Sequence, residues 1–145
     1  MGSSENRLLV RRYYEEVVST GSVDRIPEFV SPDYNEVHEN RRCPLGIEGA
    51  RQHLPGVRRT YPDLRLEVVR QIAEGDLVAS EVIMRGTHRG EWLGMAPTGK
   101  SVVVTAVTID RVAEGLIVEH GGAANLLSPL LEIGAIRVVG PTQAE

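Results

Sequence analysis

Between Leu64 and Gly122 the chain carries four extended runs separated by three breaks, two of them tight turns, and no other feature constrains the fold as strongly. In the first run Leu64, Leu66, Val68, Arg70 and Ile72 alternate with Arg65, Glu67, Val69 and Gln71. A period of two sends one set to each face of a strand. Glu74-Gly75-Asp76 closes a hairpin onto a second strand, Leu77 to His88. A loop from Arg89 to Gly99 leads to a third, Lys100 to Val112, and Ala113-Glu114-Gly115 turns that into a fourth, Leu116 to Gly122. Strands joined by such short turns pair antiparallel.

The first sixty residues read differently. Residues 4–19 have helical spacing in Leu8, Leu9, Arg12, Tyr13, Glu16 and Val17, with Ser4 as cap and Gly21 as stop. A short second helix fits Val23 to Val30, and Ser31-Pro32-Asp33 turns the chain into a strand, Tyr34 to Glu39. Pro44-Leu45-Gly46 marks a turn before a third helix, Ile47 to Thr60, built on Ala50, Leu54 and Val57, where Pro55 threatens a kink or early end. A last helix is expected over Ala123 to Ile133, stopped by Gly134.

Helices followed by a long meander predict one α+β domain over residues 1–145, a curved antiparallel sheet wrapped around the N-terminal helices with a short C-terminal helix. Such a sheet forms a cone with an open mouth. An apolar cone holding a few polar groups is a small-molecule site.

The composition narrows the partners. At 145 residues, with 41% apolar and 25% charged side chains, the chain can bury a core. Sixteen Lys and Arg against twenty Asp and Glu give a net charge of −4, and the arginines are scattered, so nucleic acid is not an expected partner. Arg51, Arg58 and Arg59 read as a solvated helix face. The lone Cys43 excludes an internal disulfide and a cysteine zinc site, which fits a cytoplasmic location. No run approaches the ~20 apolar residues that cross a bilayer, and the N-terminus lacks the apolar run of a signal peptide.

The segment GTHRGEWLGMAPTGK, Gly86 to Lys100, joins two strands, and IVEH at 117–120 leads on to LLEIGA. Together with SPDYNEV at 31–37 and RRYYEEVVSTGSVDRIPEFV near the start, these motifs resemble the SnoaL-like polyketide cyclases of the nuclear transport factor two-like superfamily. The resemblance runs from about Arg11 to Ala135, and His88 to Thr98 is its sharpest part. It implies a cone-shaped barrel, often a homodimer through its sheet, that acts on polyketide intermediates with no metal or organic cofactor. In the aldol cyclases of this family an aspartate after the last strand is the general acid/base, with a tryptophan beside it. Aligned through IVEH and LLEIGA, that aspartate falls on Gly122, and the tryptophan region on Gly121 and Ala123. Pocket-facing polar positions of the neighbouring strand fall on Ala106 and Thr108, with Asp110 on the same parity.

The remaining polar residues supply the candidates. His120 shares parity with Gly122 and can act as a general acid/base or donate to a carbonyl. Glu36 and His38 share parity on the segment after Tyr34, and a carboxylate desolvated there could hold a proton; the opposite parity would put Asn35 or Glu39 inside instead. Either Tyr14 or Tyr13 faces the cavity, offering an apolar wall and a hydroxyl donor. Trp92 and Met95 flank the mouth as a lid or dimer contact. His88 is expected to be structural and His53 solvent-exposed. Asn125 caps the last helix or lines the pocket, and Glu81 sits on a central strand whose charged face is open. The resulting expectation is a cyclase that folds its substrate by shape, in the manner of a cycloaddition, with His120, Glu36 or Tyr14 polarising one carbonyl. Alternatives are aldol closure with His120 in place of the aspartate, epoxide opening or dehydration by Glu36, Glu81 or Asp110, and a polyketide-binding protein without turnover.

Overall fold

In the computed structural model, which describes residues 2–141, the apolar spacing of the N-terminus forms α1 (Ser3–Arg12). Its cap is Gly2, not Ser4, and the Gly2 N–H donates to Glu5 Oε2 at 2.8 Å. The helix passes directly into a π-helical turn, Tyr13–Val18, and a 3-10 turn follows at Val23–Glu28. Next come β1 (Val30–His38), β2 (Arg41–Pro44) and α2 (Gly46–Thr60). The strands β3 (Arg65–Glu74), β4 (Leu77–Thr87), β5 (Ser101–Ala113) and β6 (Leu116–Asn125) lead to α3 (Leu127–Glu132).

The six strands form one sheet in the order β2-β1-β6-β5-β4-β3. Four of its pairings are antiparallel, but β1 and β6 run parallel, because β6 returns beside β1 only after the whole meander has been laid down. Register shifts at Val68/Arg70 and Arg111/Val112 mark bulges, which bend strands and curl a sheet. The π-helical turn and α1 lie against β3, and α2 lies against β1. Val10, Val17, Ile26, Val78 and Ile117 are fully buried between these layers.

Several expectations change. The β3 bulge leaves Val69 without a partner, so parity reverses after it: Ile72 turns outward at 68% exposure, and Gln71 turns inward to donate to Ser80 Oγ at 3.1 Å. Residues 41–44 are a strand and not the approach to a turn. Their hairpin with β1 uses Glu39 and Asn40 in the left-handed region, without the Asn-Gly pair that usually announces such a turn. Pro55 lies on the exposed side of α2, which runs through it to Thr60. Ala123 to Asn125 extend β6 opposite Val107, Ala106 and Thr105, so α3 is shorter than its apolar pattern implied. Among the described residues no helix is long and apolar enough to cross a membrane.

Candidate active site

The helices do not fill the inner face of the sheet. They leave a cavity of about 370 Å³, inside the usual range for small-molecule pockets. Leu66, Val82, Met84, Val104 and Ala106 line it from β3, β4 and β5, and Leu54 and Val57 line it from α2. Both Tyr13 and Tyr14 line it too, at the start of the π-helical turn, whose i→i+5 bonds include Ser19 N–H to Tyr14 O at 2.9 Å.

The polar end of the cavity is a row across three strands. Asp110 of β5 stands directly opposite His120 of β6, and His120 stands opposite Glu36 of β1. Asp110 is 1% exposed. Its Oδ1 accepts from His120 Nδ1 at 2.8 Å, and its Oδ2 accepts from the Tyr14 hydroxyl. Thr108 Oγ1 lies 3.0 Å from the same hydroxyl, and Tyr14 Oη lies 3.1 Å from His120 Nδ1. A carboxylate only accepts hydrogen bonds, so Nδ1 carries a proton and Nε2 is the nitrogen left for the cavity, which His120 lines.

Burial alone would lower the pKa of His120, but the charge of Asp110, its hydrogen bond and the charge of Glu36 overcome that and raise it above the usual histidine value. Burial, reinforced by Asp110, drives Tyr14 far above the usual phenol range, so it stays a neutral donor. The arrangement can therefore orient an imidazole, stabilise its cation and exchange a proton at Nε2 with a bound molecule.

Of the sequence candidates, His120, Glu36, Tyr14 and its alternative Tyr13, Ala106 and Thr108 line the cavity. The others do not. His38 shares the face of Glu36 but lies at the strand end, its side chain 73% exposed, where Nε2 donates to Glu36 Oε2 at 3.1 Å. Glu81 points to the outer face of the sheet and pairs with Arg70 at 2.9 Å, because inward parity on β4 belongs to Val82 and Met84. Trp92 and Met95 bridge each other and pack beside Tyr61 and Leu64 in a second apolar cluster. They pack against this chain's own core and do not line the cavity. Asn125 is exposed and opposite Thr105, while the cap position of α3 is Leu126, with no side-chain bond.

Gly122 faces Thr108 across the ladder, but Ala124 takes the lining position. At φ 147° a Cβ on Gly122 would lie 2.3 Å from Val107 O, and one on Gly121 would lie 2.9 Å from Val37 O. The two glycines let β6 pass closely between β5 and β1. His88 is fully buried, with Nδ1 accepting the Thr98 N–H at 3.3 Å and lying 3.0 Å from Thr98 Oγ1, which is the structural role expected of it.

Two polar lining residues escaped the sequence reading. His53 is exposed yet lines the cavity, at its mouth. Its position, three after Ala50 and four before Val57, already matched the apolar face of the helix. Tyr34 shares the parity of Glu36 and lies 6% exposed in the cavity wall.

Residues 8–133 match the family described as SnoaL-like polyketide cyclase. The chain is 29% identical to nogalonic acid methyl ester cyclase of Streptomyces nogalater over 80% of its own length and 88% of that protein's. It is also 29% identical to aklanonic acid methyl ester cyclase AcmA of Streptomyces galilaeus, over 81% and 82%. Among solved structures it resembles AclR of Streptomyces galilaeus, proposed to be a hydroxylase, with a TM-score of 0.82 and 27% identity over 96% of this chain and 87% of that one. The chain belongs to the SnoaL-like polyketide cyclase family.

Proposed function

We propose that this protein closes a ring in a neutral polyketide intermediate held in the apolar cone, using no cofactor, with His120 as the group that moves the proton and Asp110 holding it in place. The observation that carries this is the buried Asp110 carboxylate, which fixes His120 Nδ1–H at 2.8 Å and leaves Nε2 to the cavity. In the closure, Nε2 takes a proton from a methylene made acidic by adjacent carbonyls. The carbanion attacks a second carbonyl carbon, forming the C–C bond, and the alkoxide recovers the proton from Nε2–H. Asp110 and Glu36 stabilise the imidazolium between those two steps.

The walls add a substrate preference. Among the described residues Glu36 lines the cavity and no Lys or Arg does, so a free carboxylate on the ligand would meet the Glu36 carboxylate with no permanent cation to offset it. An ester avoids that, and the names of both Streptomyces relatives specify methyl esters.

A second reading rests on the apolar walls: the cone folds an extended polyene or enone for a cycloaddition, with no proton transfer. Orientation alone can supply up to ~7–11 kcal/mol. Incubation with nogalonic and aklanonic acid methyl esters, followed by chromatography and mass spectrometry for a product of unchanged mass, separates the two. Proton transfer requires His120→Gln to lose about 100-fold or more in rate, whereas closure by shape survives it. Binding without any acceleration would favour a ligand carrier.

The homodimer belongs to the same proposal. Ile72, Val107 and Ile109, at 68%, 52% and 51% exposure, make an apolar stripe on the outer face of the sheet that a second copy would cover.

A further inference from the structure

Of the tyrosines lining the cavity, Tyr14 has its hydroxyl committed to Asp110, with Thr108 and His120 Nδ1 also at hydrogen-bonding distance. Tyr13 and Tyr34 are different. Among the described residues neither hydroxyl makes a hydrogen bond, and neither belongs to the sealed, unpartnered atoms, which are Asn6 Oδ1, Arg51 Nε, Tyr61 Oη and His88 Nε2. Both therefore open onto the cavity that their side chains line.

A phenol that opens on a cavity with mostly apolar walls, and has no partner in the protein, is a donor left free for a bound molecule. Tyr34 is 6% exposed on β1, two residues before Glu36 and on the same face. The Tyr13 ring is held between Tyr14 and Phe29, with centroids 6.0 and 5.9 Å away. Both rings are thus fixed by packing before any ligand arrives. Burial first, then the charges of Asp110 and Glu36, pushes Tyr13 up to about 12, and burial, with Glu36 next, moves Tyr34 higher still. Neither ionises near neutrality, so each offers one O–H donor and nothing that would repel an oxygen lone pair.

We infer that Tyr34 and Tyr13 form a donor pair that binds a carbonyl oxygen of the ligand, separate from the Tyr14–Asp110–His120 cluster. The ligand class is a neutral, flat polycyclic ketone. This rests on the cyclase reading for its chemical purpose: a carbonyl held there would accumulate negative charge as His120 removes the neighbouring proton, and the two donors would take it up. The binding itself needs no turnover.

The test compares 9-fluorenone with fluorene, rings of nearly the same shape with and without a carbonyl. Wild type should bind fluorenone more tightly than fluorene and shift its carbonyl stretch to lower frequency in the infrared. Tyr34→Phe and Tyr13→Phe should each weaken fluorenone about 3- to 10-fold while leaving fluorene within about twofold. The double variant should abolish the infrared shift. Equal affinity of wild type for the two probes, an infrared shift that persists in the double variant, equal losses for both probes, or failure of both to bind wild type would each overturn the inference. A protein that shows the carbonyl preference but never closes a ring would contradict the cyclase reading alone.

Discussion

Asp110 and His120 sit directly opposite each other on β5 and β6, and the imidazole Nδ1 lies 2.8 Å from the carboxylate Oδ1. One member is almost completely buried and the other reaches the cavity. The pair therefore carries information from the core to a ligand: it sets the tautomer, the orientation and the basicity of a single nitrogen.

Replacing Asp110 by Asn should lower the pKa of His120. The substitution removes the charge that raises it and leaves at most a weaker, neutral hydrogen bond, while burial still depresses it and Glu36 is the one charge left on the raising side. Titrating the His120 ring protons by NMR in wild type and Asp110→Asn checks this; an unchanged midpoint would rule out the pairing as the cause of the shift.

Stability should depend on pH through the same pair. The folded pKa of His120 lies above its unfolded value of about 6.5. Its contribution is fully present below about 6.5 and is lost as pH rises through the higher folded value. The melting temperature of wild type minus that of His120→Gln should fall across that interval, and a difference that grows with pH would have the wrong sign.

Tyr14→Phe removes the donor to Asp110 Oδ2, leaving that buried oxygen with Thr108 Oγ1 at 3.5 Å. The expected cost is ~1–3 kcal/mol in urea unfolding. A loss below about half a kcal/mol would mean that Asp110 is not held by this bond.

Gly122→Ala should be more damaging than Gly75→Ala. Both have positive φ, but a Cβ at Gly75 meets open space, while one at Gly122 would run into the backbone of Val107 and Thr108 at 2.3 and 2.7 Å. Open space at Gly75 leaves only the left-handed penalty of ~1–2 kcal/mol, and Gly122→Ala should exceed it by at least ~1 kcal/mol. Chemical denaturation of the two variants reads this directly.

Val107→Glu places a charge in the middle of the exposed stripe on the outer sheet face. If a second copy covers that face, sedimentation should show wild type as a dimer and the variant shifted toward monomer. A wild type that is monomeric throughout would remove the homodimer from the proposal.

Alternation, anchored by the family resemblance at Ala106, Thr108 and Gly122, brought Thr108, Asp110 and His120 to inward faces, and gave Glu36 as one of two possible parities on its strand. It could not show that Asp110, His120 and Glu36 stand in one row. Register depends on which strands pair and where bulges fall, and a single bulge at Val69 was enough to send Ile72 to the opposite face. The two tyrosines were ambiguous because neighbours on a helix lie about 100° apart, and a stripe facing the core is wide enough to take one or both. Gly121 and Gly122 read as missing side chains, yet neither position has room for a Cβ. Close backbone approach between distant strands leaves no periodic trace in a sequence.

The most direct measurement is the rate of mass-neutral ring closure of nogalonic and aklanonic acid methyl esters by wild type and His120→Gln, with thermal melting to confirm that the variant is folded. The expected result is closure by wild type, with the folded variant slower by about 100-fold or more. A folded His120→Gln protein that closes the ring at the wild-type rate would contradict proton transfer through His120 and leave the shape of the cone as the catalyst.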